Sequence, residues 1–386
     1  MLFLPSCKAR ESKAGSTQLQ QPIFTPAPGS PFPTGKRPSS IAVGDLNNDG
    51  KPDFVTGNKE SKDVTISLGN GRGDFKPASG SPVKIRATPQ FIAMGDLNKD
   101  GNLDLAIAPH DGGYDVTILL GDGKVAFRTA ANSPLVPLKA TSPHNHGLAL
   151  GDVNGDGNLD IITANAGMNR DKADNSVSVL LGNGRGAFRL ASGSPFKLGR
   201  MPADLAIGDL NRDDKQDLVT GNEGSRDLSV MLSNGSGGLQ PAPGSPLQLQ
   251  AYASFVAIGD VNNDGNLDIL TTHDDSSLLT IFLGAGKGYF KAPPSSPFDL
   301  ESRAWNIIIA DINNDRMADL VARSENNSVM VLLGNGSGAF LSAPGSPFTV
   351  GTDPISVAVG DVNADGKPDI LTANSESNNV TVLLGK

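Results

Sequence analysis

One nine-residue pattern, Asp-x-Asn-x-Asp-(Gly)-x-x-Asp, recurs seven times and limits what this chain can fold into more than any other feature. Its polar positions are Asp45, Asn47, Asp49 and Asp53 in the first copy, and Asp96, Asn98, Asp100 and Asp104 in the second. They are Asp152, Asn154, Asp156 and Asp160 in the third, and Asp209, Asn211, Asp213 and Asp217 in the fourth. The fifth copy has Asp260, Asn262, Asp264 and Asp268; the sixth Asp311, Asn313, Asp315 and Asp319; the seventh Asp361, Asn363, Asp365 and Asp369. Oxygen-bearing side chains at loop positions 1, 3 and 5, a backbone carbonyl near 7 and a carboxylate at 9 can wrap one Ca²⁺, with Gly at 6 permitting the sharp turn. There is no Glu at position 12 and no helical pattern on either side. Instead β-forming runs flank the loop, Ile41-Ala-Val43 before and Phe54-Val-Thr56 after, so each copy reads as a metal loop joining two strands. Asn, Asp and Gly also form ordinary turns, but a plain turn has no evident use for the aspartate at position 9.

Successive copies begin 51, 56, 57, 51, 51 and 50 residues apart. A period near 50 belongs to propellers and solenoids, whose repeats cannot bury their apolar faces alone. Each period holds four short apolar runs. In the fifth these are Phe255–Ile258, Leu267–Leu270, Leu278–Leu283 and a stretch from Tyr289 to Phe298, here named strands A to D. With 46 Gly and 27 Pro and no sustained helical periodicity, the chain reads as all-β, a seven-bladed propeller of four-stranded blades. The last repeat stops after strand C, at Val380–Gly385. Its missing strand D is found at the other end, where Ile23–Phe32 matches Ala339–Phe348. The N-terminal segment is therefore expected to complete the last blade and close the ring, removing two exposed sheet edges.

The net charge of −9 is unevenly spread: three aspartates in each of seven loops account for 21 of the 41 acidic residues, leaving 20 against 32 basic ones. The acidic balance thus belongs to the metal loops and says little about partners. No basic stripe with interleaved aromatics points to nucleic acid, and no apolar run is long enough for a transmembrane segment. The chain is expected to be monomeric. Residues 1–21 stand apart from the repeats, and residues 22–386 form the propeller. Leu4-Pro5-Ser6-Cys7 resembles the lipobox of bacterial lipoproteins, with a polar tether behind it, although only three residues precede it. Extracellular or cell-surface placement is expected, with Cys7 as a lipid anchor.

The Gly-Asp-Leu/Val-Asn-x-Asp-Gly-x-x-Asp repeat resembles the FG-GAP, or VCBS-type, repeat of integrin α-subunit propellers and bacterial surface proteins, and is similar also to fungal seven-bladed lectins. The resemblance covers residues 22–386 and implies a Ca²⁺-binding propeller, about six to seven ions per chain. Such propellers serve adhesion and lectin roles, and some are attached to enzymes. Two loops depart from the pattern at position 6, with Asp214 and Arg316 in place of Gly. The Arg316 loop is expected to be the weakest site.

The metal loops and C–D turns should share one rim, leaving the B–C and D–A loops on the opposite face. His144, His146, Tyr252, Trp305, Arg200 and Arg303 map there, with His110, His273 and Tyr114, and are the candidate ligand-binding residues. No nucleophile, zinc or nucleotide motif is present. Three readings stand: a non-catalytic binder of a glycan or protein, a polysaccharide-active enzyme on that face (a hydrolase using a carboxylate pair or a lyase using a His, Tyr and Arg set), and a structural scaffold.

Overall fold

The structure is a computed structural model and describes residues 21–109, 115–135, 145–166 and 175–386. The expected tether before residue 21, Cys7, His110, Tyr114 and His144 lie outside the described residues. Among the described residues no helix is long and apolar enough to cross a membrane.

Seven antiparallel sheets are arranged in a ring. In the first blade, strand A (Pro38–Gly44) pairs with strand B (Asp53–Asn58), B with strand C (Asp63–Gly69), and C with strand D (Phe75–Pro77). Strand A of each blade lies against strand A of the next, and the ring closes where Pro354–Gly360 meets Pro38–Gly44. Strand B is buried along its whole length in blade 1, and likewise in the second at Asp104–Pro109. It is sandwiched between neighbouring sheets, which explains a nearly continuous apolar run instead of an alternating one. The apolar core accordingly lies between blades: Phe54 and Phe75 of blade 1 pack with Leu371, Val380 and Val382 of blade 7.

Ring closure follows the sequence expectation. Phe24–Pro26 pairs with Asn379–Gly385 in the register Phe24↔Gly385 to Pro26↔Leu383, and Phe32–Pro33 pairs with the same strand at Val380 and Asn379. Phe32 packs edge-on against Phe75 of blade 1 at 5.3 Å, and Phe24 against Phe348 of blade 6 at 5.3 Å.

The outermost strand differs from the continuous run expected. It is split into two short segments, as in Phe75–Pro77 and Val83–Lys84, both paired with strand C. The Gly-Ser-Pro tail lies in the gap. There the serine hydroxyl accepts the strand C amide that a continuous partner would have taken: Ser81 Oγ from Ile66, Ser194 Oγ from Val179 and Ser346 Oγ from Val331, each at 2.9 Å. Pro lacks a donor and suits an outer edge.

Candidate functional site

Each Asp-Asn-Asp loop is folded by its own side chains. In the first, Asp45 accepts the N–H groups of Asp49 (3.1 Å) and Gly50 (2.7 Å), Asn47 Oδ1 shares the Asp49 amide (2.9 Å), and Asp49 Oδ1 accepts from Lys51 (3.0 Å). The same bonds recur in the second, third, fifth, sixth and seventh loops, so oxygens from positions 1, 3 and 5 gather around one turn of backbone.

Position 9 is different. Asp53 is fully buried; its Oδ2 accepts the N–H of Leu46 at loop position 2 (3.0 Å), and its Oδ1 accepts the N–H of Gly69 at the end of strand C (2.8 Å). Asp104, Asp160, Asp217, Asp268, Asp319 and Asp369 repeat the arrangement. The aspartate at position 9 therefore has a structural use that the sequence argument did not consider: it clamps the start of the loop to the C–D turn. Burial pushes the Asp53 carboxyl up to about 6; the Asp49 and Asp45 charges add to this, while the Gly69 and Leu46 amides oppose it.

The donor set fits a hard cation. It is all oxygen, the charges of Asp213 and Asp209 in the fourth loop raise the proton affinity of Asp217, and Asn211 Oδ1 in that loop is buried with no hydrogen-bond donor reaching it. Among the described residues no three His, Cys, Asp or Glu side chains already converge as a ligand cluster, so an ion would have to draw the position 9 carboxylate toward those at 1 and 5.

The two departures keep the loop fold. Asp214 and Arg316 take φ of 64° and 68°, close to the 79° of Gly50, and Arg316 N–H still donates to Asp311 Oδ2 at 2.8 Å. A side chain at this position meets open space, as the surroundings of Gly50, Gly101 and Gly366 show, so the cost is that of a left-handed backbone without glycine.

The A–B loops and C–D turns do share a rim, interlocked across seams: Gly73 N–H of blade 1 donates to Val362 O in the loop of blade 7 (3.3 Å), and Gly338 N–H of blade 6 to Val261 O of blade 5 (3.0 Å). The B–C and D–A loops meet on the other face, where Lys59 and Glu60 amides donate to the Arg37 and Lys36 carbonyls.

On that face the structure gathers part of the expected ligand set. Trp305 Nε1 donates to Asp274 Oδ1 (2.8 Å), which also accepts from Ser254 Oγ (2.7 Å), and the Tyr252 amide donates to Asp275 (3.3 Å). The Arg323 guanidinium stacks on Trp305 at 4.5 Å, and that of Arg226 on Tyr252 at 4.1 Å. Arg303 lies beside Glu325, with Nε 3.7 Å from Oε1. The set divides here, because His146 and Arg200 belong to blades 3 and 4, where His146 is half-buried on the inner strand and Arg200 is exposed. His273 is buried, with Nε2 2.8 Å from Thr280 Oγ1 and Nδ1 3.2 Å from the Tyr252 carbonyl, so it is part of the blade interior and not of the face.

Arg323 was missed by the sequence reading. Its place in strand B belongs to a small residue elsewhere, as with Gly57, because a side chain there runs into the next blade at Pro89 and Ile92. Arg323 instead extends along the seam and donates to the Pro354 carbonyl of blade 7 (3.0 Å). Burial pushes its pKa below the usual guanidinium value, opposed by the Asp353 and Asp274 charges. Also unforeseen is a β-bulge in strand A of every blade, as between Pro38 and Ser40. The residue next to it can bond the following blade: Asp204 Oδ2 accepts from Val256 N–H (3.1 Å) and Asn306 Oδ1 from Val357 N–H (2.6 Å).

Comparison with curated protein sequences gives no match. Among solved structures, the chain is similar to BBS1N in crystal structures of its complex with ARL6DN. The form soaked with mercury gives a TM-score of 0.60 at 13% identity, covering 95% of this chain and 98% of that one. The form soaked with lead gives 0.64 at 12% identity with the same coverage. At such identity the likeness concerns the fold. Six overlapping stretches, residues 45–107, 96–163, 152–220, 209–271, 260–322 and 311–372, match the FG-GAP-like repeat, each opening on the first aspartate of a loop and ending in strand B of the next blade. With those stretches running from the first loop to the last, the chain belongs to the FG-GAP-like repeat family.

Proposed function

We propose that this chain is a Ca²⁺-stabilised, non-catalytic binding propeller that acts at the cell surface or outside the cell. It presents the face made by its B–C and D–A loops to a protein or glycan ligand. The observation that carries this reading is the division of labour between the two rims. Seven near-identical loops on one rim are committed to holding the ring. The irregular residues, Trp305, Tyr252, Asp274 and Arg323, are grouped on the other. An amphipathic indole fixed by a carboxylate and backed by a guanidinium is a preorganised contact of the sort that anchors interfaces. The solved propellers of like fold, BBS1N bound to ARL6DN, are protein complexes, which supports a protein ligand.

Arrays of glycans and of extracellular protein ectodomains, probed with the folded chain in millimolar Ca²⁺, test the reading. Binding to one class, abolished by Trp305→Ala without a change in melting temperature, is expected. Product release from a bound polysaccharide would replace it with the enzyme reading. Binding indifferent to Trp305, Tyr252 and Arg303 would place the ligand elsewhere.

A further inference from the structure

Loop position 4 is occupied by Asn48, Lys99, Gly155, Arg212, Asn263, Asn314 and Ala364, all with positive φ between 58° and 72°. This backbone turn aims the side chain away from its own loop and across the seam. Asn48 Nδ2 donates to Asn102 Oδ1 in the loop of blade 2 (2.7 Å), Arg212 Nη1 to Asn266 Oδ1 in the loop of blade 5 (3.4 Å), and Asn314 Nδ2 to the Gly366 carbonyl of blade 7 (2.9 Å). Lys99 crosses in the same way: a methyl placed on Gly157 of blade 3 would stand 3.5 Å from its Nζ.

The residue that meets this arm is position 7 of the receiving loop. Both pack on the middle glycine of the C–D turn. A Cβ on Gly286 would lie 3.1 Å from Asn266 Oδ1 and 3.7 Å from Arg212 Cδ, and one on Gly71 would lie 3.2 Å from Lys51. Each of blades 1 to 6 therefore has one small socket beside the position 5 aspartate, reached from within by position 7 and from the preceding blade by position 4. In blades 1 and 4 the cation comes from within: Lys51 Nζ lies 3.4 Å from Asp49 and Lys215 Nζ 3.0 Å from Asp213, and their crossing partners are Ala364 and Gly155; the blade 7 loop likewise has Lys367 at position 7, with Asn314 crossing to it. In blades 3 and 5 the cation crosses the seam, as Lys99 and Arg212, and position 7 is Asn158 or Asn266. No seam pairs two cations. Blades 2 and 6 hold uncharged pairs, Asn48–Asn102 and Asn263–Met317, but the blade 6 loop has Arg316 in place of Gly at position 6.

We propose that the occupant of this socket grades the Ca²⁺ affinity of the loops, with Lys99 and Arg212 weakening the Asp152 and Asp260 sites from the neighbouring blade and the Asp96 site left the tightest. This rests on the calcium reading above. A positive side chain beside the position 5 carboxylate stands in for part of the ion's charge. It steadies the metal-free loop and must be outcompeted when Ca²⁺ arrives. Because the crossing arm belongs to another blade, the metal-free ring is also held together across these two seams by the groups that oppose loading.

The test is ⁴⁵Ca²⁺ equilibrium dialysis of the full chain at low ionic strength, with wild type, Lys99→Asn, Arg212→Asn and Asn48→Lys compared. Lys already occupies position 4 of the second loop at the same φ of 58° as Asn48, so the last variant keeps the fold. Each Asn variant should tighten one site about three- to tenfold, and Asn48→Lys should weaken the tightest site by a similar factor, with both effects shrinking in 1 M KCl. In chelator, Lys99→Asn and Arg212→Asn should melt below wild type, and in saturating Ca²⁺ the gap should vanish. Superimposable isotherms for all four proteins, with Ca²⁺ bound, would overturn the proposal while leaving the calcium reading intact. A wild-type chain that binds no ⁴⁵Ca²⁺ would overturn both.

Discussion

Ser30 Oγ accepts the backbone N–H of Val382 at 3.0 Å, joining residues 352 positions apart. This bond is the seventh instance of the serine–strand C contact made within every other blade, so the seam between the two ends is built to the same specification as the rest.

Removing residues 1–21 should leave the melting temperature unchanged, because the paired segments start at Phe24. Removing residues 1–34 takes away Phe24 and Phe32, both buried, together with the partner of strand Asn379–Gly385. Two lost core phenylalanines alone cost on the order of 5 kcal/mol or more. Thermal melting of the two truncations should separate them clearly, with aggregation of the shorter chain at its open edge. Equal melting would refute the shared blade.

Asp268→Ala should destabilise the chain even in chelator. It strips the acceptor from the buried Val261 and Gly284 amides (2.9 and 2.7 Å), at roughly 1–3 kcal/mol each. Asp264→Ala, at an exposed position of the same loop, should cost under about 1 kcal/mol in the same buffer. Urea unfolding of both variants without metal decides the matter; equal losses would mean that position 9 has no role apart from metal.

Chelation should lower the melting temperature, and Ca²⁺ should restore it where equal Mg²⁺ restores little, because Mg²⁺ demands a small octahedron and dehydrates reluctantly. Sites with Kd on the order of 10⁻⁴ M would each contribute roughly 1–1.5 kcal/mol at millimolar Ca²⁺. Metal analysis should find about six to seven ions, with the Asp311 loop the first to be empty, and Asp361→Ala should cost more in Ca²⁺ than Asp311→Ala. An unchanged melt in chelator would sink the metal reading.

A pH dependence is expected at Asp204. Burial pushes this carboxyl up to about 7, opposed by the Val256 and Leu205 amides. The unfolded chain releases this proton near pH 4. Between about pH 4 and 7 the native state alone holds the proton, so stability falls as pH rises through that window and is level above it. Asp204→Asn retains an acceptor for Val256, as Asn306 does for Val357, and removes the charge. It should stabilise the chain by about 1–2 kcal/mol at pH 8, less than the full shift because the side chain keeps some contact with water, and the gain should fade toward pH 5. Melting both proteins across that range checks it; a gap independent of pH would rule out titration of Asp204.

The parts legible in the sequence were those that repeat along the chain. The loop aspartates, the strand order and the match of Ile23–Phe32 to Ala339–Phe348 each rest on a pattern within one repeat. What escaped depends on contacts with residues farther along the chain, several of them in the next blade. Arg323 looks like one more strand residue until Pro354 appears across the seam, and Asp204 looks like an odd polar residue until the Val256 amide is seen to need it. Ser81 reads as a turn former, yet it supplies an acceptor to a strand fifteen residues upstream. The candidate face was half legible for the same reason: Trp305 and Tyr252 are rare residues and easily noticed, whereas the Asp274 that fixes Trp305 comes from a different repeat.

The shared blade also sets a timetable for synthesis. Val382 follows Ser30 out of the ribosome by 352 residues. At about 5–20 residues per second, the early segment waits roughly 20–70 s for its partner. During that time six sheets can form and stack into an open arc whose first edge is bare and whose leading segment, with two phenylalanines, has no strand C to pair with. A second nascent ring nearby offers it the same strand C it is waiting for. Polysomes translating this message are therefore the setting in which ends would be exchanged between chains, and holdase binding to residues near Phe24 and Phe32 is the protection such a topology calls for.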